Sequence, residues 1–154
     1  MDHGGEQRLK PGLRKYACEL TLDTNTADRF LRLSDRNKKV TLVREEQPYP
    51  DRPERFDRLQ LLCASGLSGR CYWEVEWRGE VHIAVTYRRV ERRGGGSDCW
   101  FGGNDRSWSL NCSKSCYSVW HNEKKTDVVL PYSSQSMWTV LPALCPSTQS
   151  PLRH

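Results

Sequence analysis

Cys112-x-x-x-Cys116 followed by His121 is the stretch of this 154-residue chain where side chains able to do chemistry come nearest together. A cysteine beside a histidine could act as nucleophile and general base, if a third group oriented the base and something favoured the thiolate. Neither is recognisable in the neighbouring sequence. The same three side chains hint at zinc, yet a structural zinc site takes four ligands and the chain has no Cys-x-x-Cys pair. The remaining histidines add little: His3 and His154 stand at the ends, and His82 falls on the strand face opposite Val81 and Ile83. Gly94-Gly95-Gly96 lacks the lysine and Ser/Thr that complete a phosphate loop. No catalytic, cofactor-binding or metal-binding residue is assigned, and the chain reads as a non-enzyme.

What is left is recognition. Arg88, Arg89, Arg92 and Arg93, with Trp100 and Phe101, are the residue types that dominate interface hot spots, and they form the candidate contact patch. The segment Arg88–Asp98 holds these four arginines, a glutamate and three consecutive glycines, so it reads as a flexible, exposed loop. The net charge of +5 is spread among acidic residues, as in Arg52–Asp57, which describes a solvated surface and not a phosphate-binding stripe. Nucleic acid is therefore not an expected partner. The start, Met1–Glu6, has no apolar run and reads as neither signal peptide nor membrane span, which points to a cytoplasmic chain. Seven cysteines without a secretory signal suggest free buried thiols and no disulfide framework, with Cys71 a small buried hydrophobe.

The elements that must carry these residues are strands. In Cys71-Tyr72-Trp73-Glu74-Val75-Glu76-Trp77 the side chains alternate, placing Cys71, Trp73, Val75 and Trp77 on one face and Tyr72, Glu74 and Glu76 on the other. Gly66 and Gly69 form the turn before it. Trp73, Val75 and Trp77, together with Trp108, are the expected core, since six tryptophans must make up for a mean hydropathy of -0.77. Arg78-Gly79-Glu80 then turns the chain into Val81–Tyr87, predicting a hairpin. Further strands are expected at Tyr16–Leu22, Phe30–Ser34, Val40–Val43, Leu59–Cys63, Trp108–Cys112 and Tyr117–His121, with Glu123-Lys124-Lys125 as a turn. Pro48, Pro50 and Pro53 make the intervening stretch a surface loop. Short strands with regular turn signals predict an all-β, two-sheet antiparallel sandwich.

Five ordered blocks carry a family resemblance over about Lys15 to Ser134. Gly66–Trp77 resembles the signature strand of the PRY-SPRY (B30.2) family, and Leu20–Ala27 resembles its leucine-aspartate-proline motif with Thr24 in the proline position. Tyr49–Asp57 is similar to the linker between PRY and SPRY; Asn104–Leu110 and Tyr117–Asn122 look like the next two strands. The nearest flavour is the fish-type domain of NOD-like receptors and tripartite-motif proteins. The resemblance implies a non-catalytic module that binds a protein ligand in innate-immune signalling. Its docking loops would be Glu45–Asp57, Arg88–Phe101 and the region from Ser133. The alternatives are the recognition domain of a tripartite-motif ubiquitin ligase whose RING is not in this chain, or a non-functional fragment. The oligomeric state stays open.

The resulting division is a disordered lead at 1–14, a PRY segment at 15–60, an incomplete SPRY segment at 61–134 and an unrelated tail at 135–154. One back-translation of Met137–Ser150, shifted in register, spells the valine-aspartate…proline-alanine-glycine segment that the family has next. A frameshift near Gln135 is therefore expected. A sandwich without its last strands would leave an open edge, and a tail with three prolines is not expected to fill it.

Overall fold

The structure, a computed structural model, describes residues 15–129 and the strand at 138–144; the expectations for 1–14 and for the loop beginning at Ser133 fall outside these residues. Eight strands follow in chain order: β1 Leu31–Ser34, β2 Lys39–Leu42, β3 Arg70–Glu76, β4 Val81–Thr86, β5 Ser107–Cys112, β6 Tyr117–His121, β7 Lys124–Val128 and β8 Trp138–Leu144. β1 pairs with β2, β3 with β8, and β4-β5-β6-β7 form a meander, every pairing antiparallel. One 3-10 turn, Ser97–Cys99, is the only helix among the described residues. The chain is an all-β antiparallel sandwich.

The signature segment is β3, entered through Gly69 at φ 72°. Trp73, Val75 and Trp77 are half-buried and Glu74 and Glu76 exposed, as the alternation predicts. Trp77 meets Tyr117 of β6 edge to face at 6.5 Å, which brings β3 against the meander. Tyr72 departs from the pattern: it is buried, at 5% exposure, and its hydroxyl bonds the Glu74 carboxylate. A phenol tolerates burial once its OH has a partner. The four expected core residues are half-buried; the largest fully buried side chains among the described residues are Phe56, Thr26, Cys112, Ser107 and Ser109.

The predicted β3–β4 hairpin does not form. Tyr72 donates its N–H to Tyr16 O (2.8 Å) and accepts from Cys18 N (3.0 Å), so residues 16–18 occupy one edge of β3 and β8 the other. With both edges taken, β4 leaves through Gly79 and pairs with β5, Val81 opposite Cys112 and Thr86 opposite Ser107. Tyr16–Leu22 and Leu59–Cys63 are likewise reduced to isolated bridges, Ala17 to Tyr72 and Leu22 to Cys63. The Glu123–Lys125 turn is shifted: Asn122 and Glu123 take the left-handed conformation (φ 55° and 67°), and Lys124 already starts β7. Two consecutive left-handed residues match the twist of a two-residue hairpin.

The tail also differs from expectation. β8 runs the full length of β3, from Trp138 opposite Glu76 to Leu144 opposite Arg70, so it does supply a strand. Pro142 lies opposite Tyr72, whose N–H and C=O both point to residues 16–18 and away from β8. Pro142 therefore occupies a non-hydrogen-bonded pair, where a missing N–H costs the ladder nothing.

Cys18 and Cys71 are joined as a disulfide with Cα atoms 5.7 Å apart, which corrects the expectation that the thiols are all free. The bridge from Ala17 to Tyr72 sets the two cysteines side by side, a juxtaposition that counting cysteines could not show. Cys63, Cys99, Cys112 and Cys116 are free.

Candidate functional site

The cysteine–histidine grouping is pulled apart by strand register. Cys112 lies opposite Tyr117 and His121 opposite Trp108, four positions along β5, roughly 13 Å at a strand's rise. His121 stacks on Trp108 at 4.4 Å and its Nδ1 lies 2.8 Å from Ser107 O, a structural berth. Cys116 bonds within its own turn, against Ser113 Oγ at 3.3 Å. Among the described residues no cluster of three or more His, Cys, Asp or Glu could hold a metal ion, and no helix is long and apolar enough to cross a membrane. Burial pushes the Cys112 thiol up to about 11, whereas Cys116 is exposed. Iodoacetamide near neutral pH is expected to label Cys116 and spare Cys112, read by peptide mass mapping.

The arginine-rich loop is not the flexible excursion that its composition suggests. It lies down on the segment 51–60 and is laced to it. Asp57 N donates to Arg92 O (3.1 Å), and Gly94 N to Asp57 Oδ2 (3.1 Å). Arg92 Nη1 reaches Glu54 O (2.9 Å) while its guanidinium covers the Phe56 ring at 4.7 Å. Arg93 Nη2 bonds Arg52 O (3.1 Å) and Asp51 Oδ1 (3.3 Å). Gln60 closes the far end, donating Nε2 to Cys99 O (2.7 Å) and accepting from Phe101 N (3.3 Å). Val90 and Cys99 are buried beneath. Backbone groups of a glycine-rich loop thus find their partners some forty residues away.

The six candidate contact residues accordingly separate. Arg88, Arg89 and Arg93 are exposed; Arg92 is half-buried by its packing, and burial holds its guanidinium below the usual arginine range. Phe101 packs edge-on against Phe56 at 5.4 Å, and Trp100 against Trp120 at 5.9 Å. Arg92, Trp100 and Phe101 therefore fasten the loop, Arg93 both ties it to Asp51 and stays exposed, and Arg88 and Arg89 are exposed, Arg89 beside Arg106, which donates to its carbonyl.

Asp51 is a shared acceptor for Arg93 and for Arg29 Nη2 (3.2 Å). The hydrogen bond from Arg93, then its charge, holds the Asp51 carboxyl below the ordinary range. A carboxyl lowered in the folded state stabilises above its unfolded value, about 3.9, and loses that contribution as pH falls through the folded value. NMR titration is expected to show the Arg93 tie intact near neutrality and released only as pH falls below the ordinary carboxylate range, at higher pH in high salt because Asp51 is exposed.

One side chain that sequence reasoning passed over organises the platform. Arg55 is 2% exposed, and its guanidinium donates to Thr24 O (2.8 Å), Ala27 O (2.8 Å) and twice to Pro50 O (3.0 and 2.8 Å), over the Tyr49 ring at 4.8 Å. It clamps the Asp23–Asp28 turn to the proline-rich linker. That turn is pre-shaped by Asp23, which accepts Asn25 N (3.0 Å) through its carboxylate, and by Thr26 Oγ1, which donates to Asp23 O (3.0 Å) and accepts Leu62 N (2.9 Å). An arginine directly before a phenylalanine, after three prolines, was the available signal.

Residues 20–67, which contain this clamp, match the family described as PRY, the SPRY-associated domain. The crystal structure of a TRIM65 PSpry domain superposes with a TM-score of 0.71 at 28% identity, over 80% of this chain and 66% of that one. The chain belongs to the PRY-SPRY family. Stonustoxin subunit beta of Synanceia horrida is 45% identical over 120 residues, covering 77% of this chain and 17% of the toxin subunit. Tripartite motif-containing protein 16 of Mus musculus is 34% identical over 142 residues, 89% of this chain and 26% of that protein. The PRY-SPRY chain thus spans a minor part of these two relatives. Domains of this family are in general protein-interaction modules.

Proposed function

We propose that this chain is a non-catalytic recognition module. It binds a protein ligand of acidic character through the joined loops 45–57 and 88–101, as part of a longer cytoplasmic protein of innate-immune signalling. The observation that carries the reading is the lacing of the two loops by Arg92, Arg93 and Asp57, which presents Arg88, Arg89 and Arg93 on a fixed surface. Binding residues on a held loop lose little entropy when they dock, and arginine is a favoured anchor. The sequence resemblance to receptor-type domains supports the innate-immune setting. The similarity to tripartite motif-containing protein 16 supports a second setting, in which the same surface selects substrates for a tripartite-motif ubiquitin ligase.

A photo-crosslinking residue at Arg89, with another at Thr126 on β7 as the control, tests the surface in native cell extract. Arg89 is expected to capture a discrete protein, in a salt-sensitive manner, and Thr126 is not. Equal capture at both positions, or none at Arg89, contradicts the reading. Whether the captured protein is then ubiquitylated by the full-length parent separates the two settings.

A further inference from the structure

Independently of what the loops bind, the disulfide occupies a place where it can act as more than a staple. Cys71 is buried at the start of β3, but Cys18 is half-buried, and both line an open cavity of about 310 Å³ floored by Ser65–Ser68 and flanked by Lys15 and Arg70. The two cations share the Tyr16 ring: Lys15 Nζ stands 5.2 Å and the Arg70 guanidinium 4.8 Å from its centroid, and Arg70 Nη1 donates to the Tyr16 hydroxyl (2.9 Å). The strand segment beside it is a single isolated bridge, Ala17 to Tyr72. Besides the disulfide, residues 16–18 are tied to β3 by the two backbone hydrogen bonds of Tyr72 and by the Arg70–Tyr16 contact. The reduced state is also provided for, since Tyr16 O lies 3.6 Å from Cys18 Sγ and Ser68 O 3.9 Å from Cys71 Sγ, positions from which each can accept an S–H.

We propose that Cys18–Cys71 is a reversible thiol–disulfide latch on the edge of β3, opened by an anionic thiol of the glutathione class that enters beside Lys15 and Arg70. The thiolate attacks Cys18 Sγ, the more accessible sulfur; the S–S bond breaks, and Cys71 leaves as a thiolate and takes up a proton. A second thiolate attacks the reagent's own sulfur in the mixed disulfide, releasing the oxidised reagent and the Cys18 thiolate, which is protonated in turn. Two thiols are oxidised and one protein disulfide is reduced, so electrons balance. Opening frees the N–H and C=O of Tyr72, and the meander β4–β7, which makes no use of that edge, stays folded.

The test follows the full 154-residue chain during reduction by glutathione, with neutral dithiothreitol as the comparison reagent. Three results are expected. The mixed disulfide trapped early maps to Cys18; Lys15→Gln with Arg70→Gln slows the glutathione reaction several-fold and leaves dithiothreitol unaffected; and reduction speeds amide exchange at Cys18 and Tyr72 at least tenfold while β5 and β6 stay protected. The double variant Cys18→Ser, Cys71→Ser is expected to reproduce that exchange pattern without any reagent. Adducts at Cys71, charge-independent rates, unchanged protection at Tyr72, or loss of protection throughout the chain on reduction would each overturn the latch.

Discussion

Arg55→Met is expected to cost about 3–5 kcal/mol of stability, because it strands three carbonyl oxygens where the guanidinium now sits. Nothing else among the described residues donates to Thr24, Ala27 or Pro50 O there, and the site is too enclosed for bulk water to substitute, with Arg55 2% exposed. The guanidinium is hydrogen-bonded to carbonyl oxygens, and burial lowers its affinity for the proton, with neighbouring Arg29 acting in the same direction. The cluster holds together because the planar fork reaches three acceptors at once. A lysine cannot: one ammonium on a flexible stem satisfies only part of the set, so Arg55→Lys is expected to lose roughly half as much. Urea unfolding of both variants checks this, and a loss below about 1 kcal/mol for Arg55→Met contradicts the clamp.

Gly102→Ala is expected to be almost as damaging, about 3 kcal/mol, from two sources that add at one atom. Gly102 has φ 98°, a conformation L residues rarely adopt, and an added Cβ would stand 2.8 Å from Trp120 Cβ and 3.2 Å from Ser109 Cβ. Neither neighbour can give way, because Ser109 and Trp120 sit opposite each other in the β5–β6 ladder and Gly102 N is already bonded to Ser107 Oγ at 2.7 Å. The consequence reaches the β6–β7 turn, for Gly102 O and Asn104 O receive its Glu123 and Asn122 N–H groups. Gly95→Ala, where an added Cβ meets nothing within 4 Å, is the matched control and is expected to be near neutral. Calorimetric melting should show a fall of several degrees for the first variant only; equal melting points would contradict the packing described for Gly102.

These two sites show what sequence could and could not disclose. The strands were legible wherever side chains alternated, as in β3, β4, β5 and β6, because a period of two is written locally. β7 was missed because Lys124-Lys125-Thr126-Asp127-Val128 has no apolar face of its own and is a strand through its pairing with β6. The loop 88–101 was misjudged for a related reason: its composition is that of a solvated segment, and the groups that order it, Asp51, Glu54, Asp57 and Gln60, lie far back in the chain. Composition could not tell the exposed Arg89 from Arg92, which lies on Phe56. β8 was discounted on its proline, a rule that holds only where the N–H would have been used.

The arginine loop and the proline-rich linker form one ordered surface. Native-state amide hydrogen exchange of the whole chain tests it, read at the N–H groups of Asp57, Gly94 and Phe101, each of which bonds across to the other segment. These amides are expected to exchange slower than those of an unstructured chain by about 100-fold or more, and Arg92→Ala is expected to remove much of that protection while β5 and β6 keep theirs. Exchange at unstructured-chain rates in the unmodified protein would contradict it, and would return Arg88–Phe101 to the status of a solvated loop.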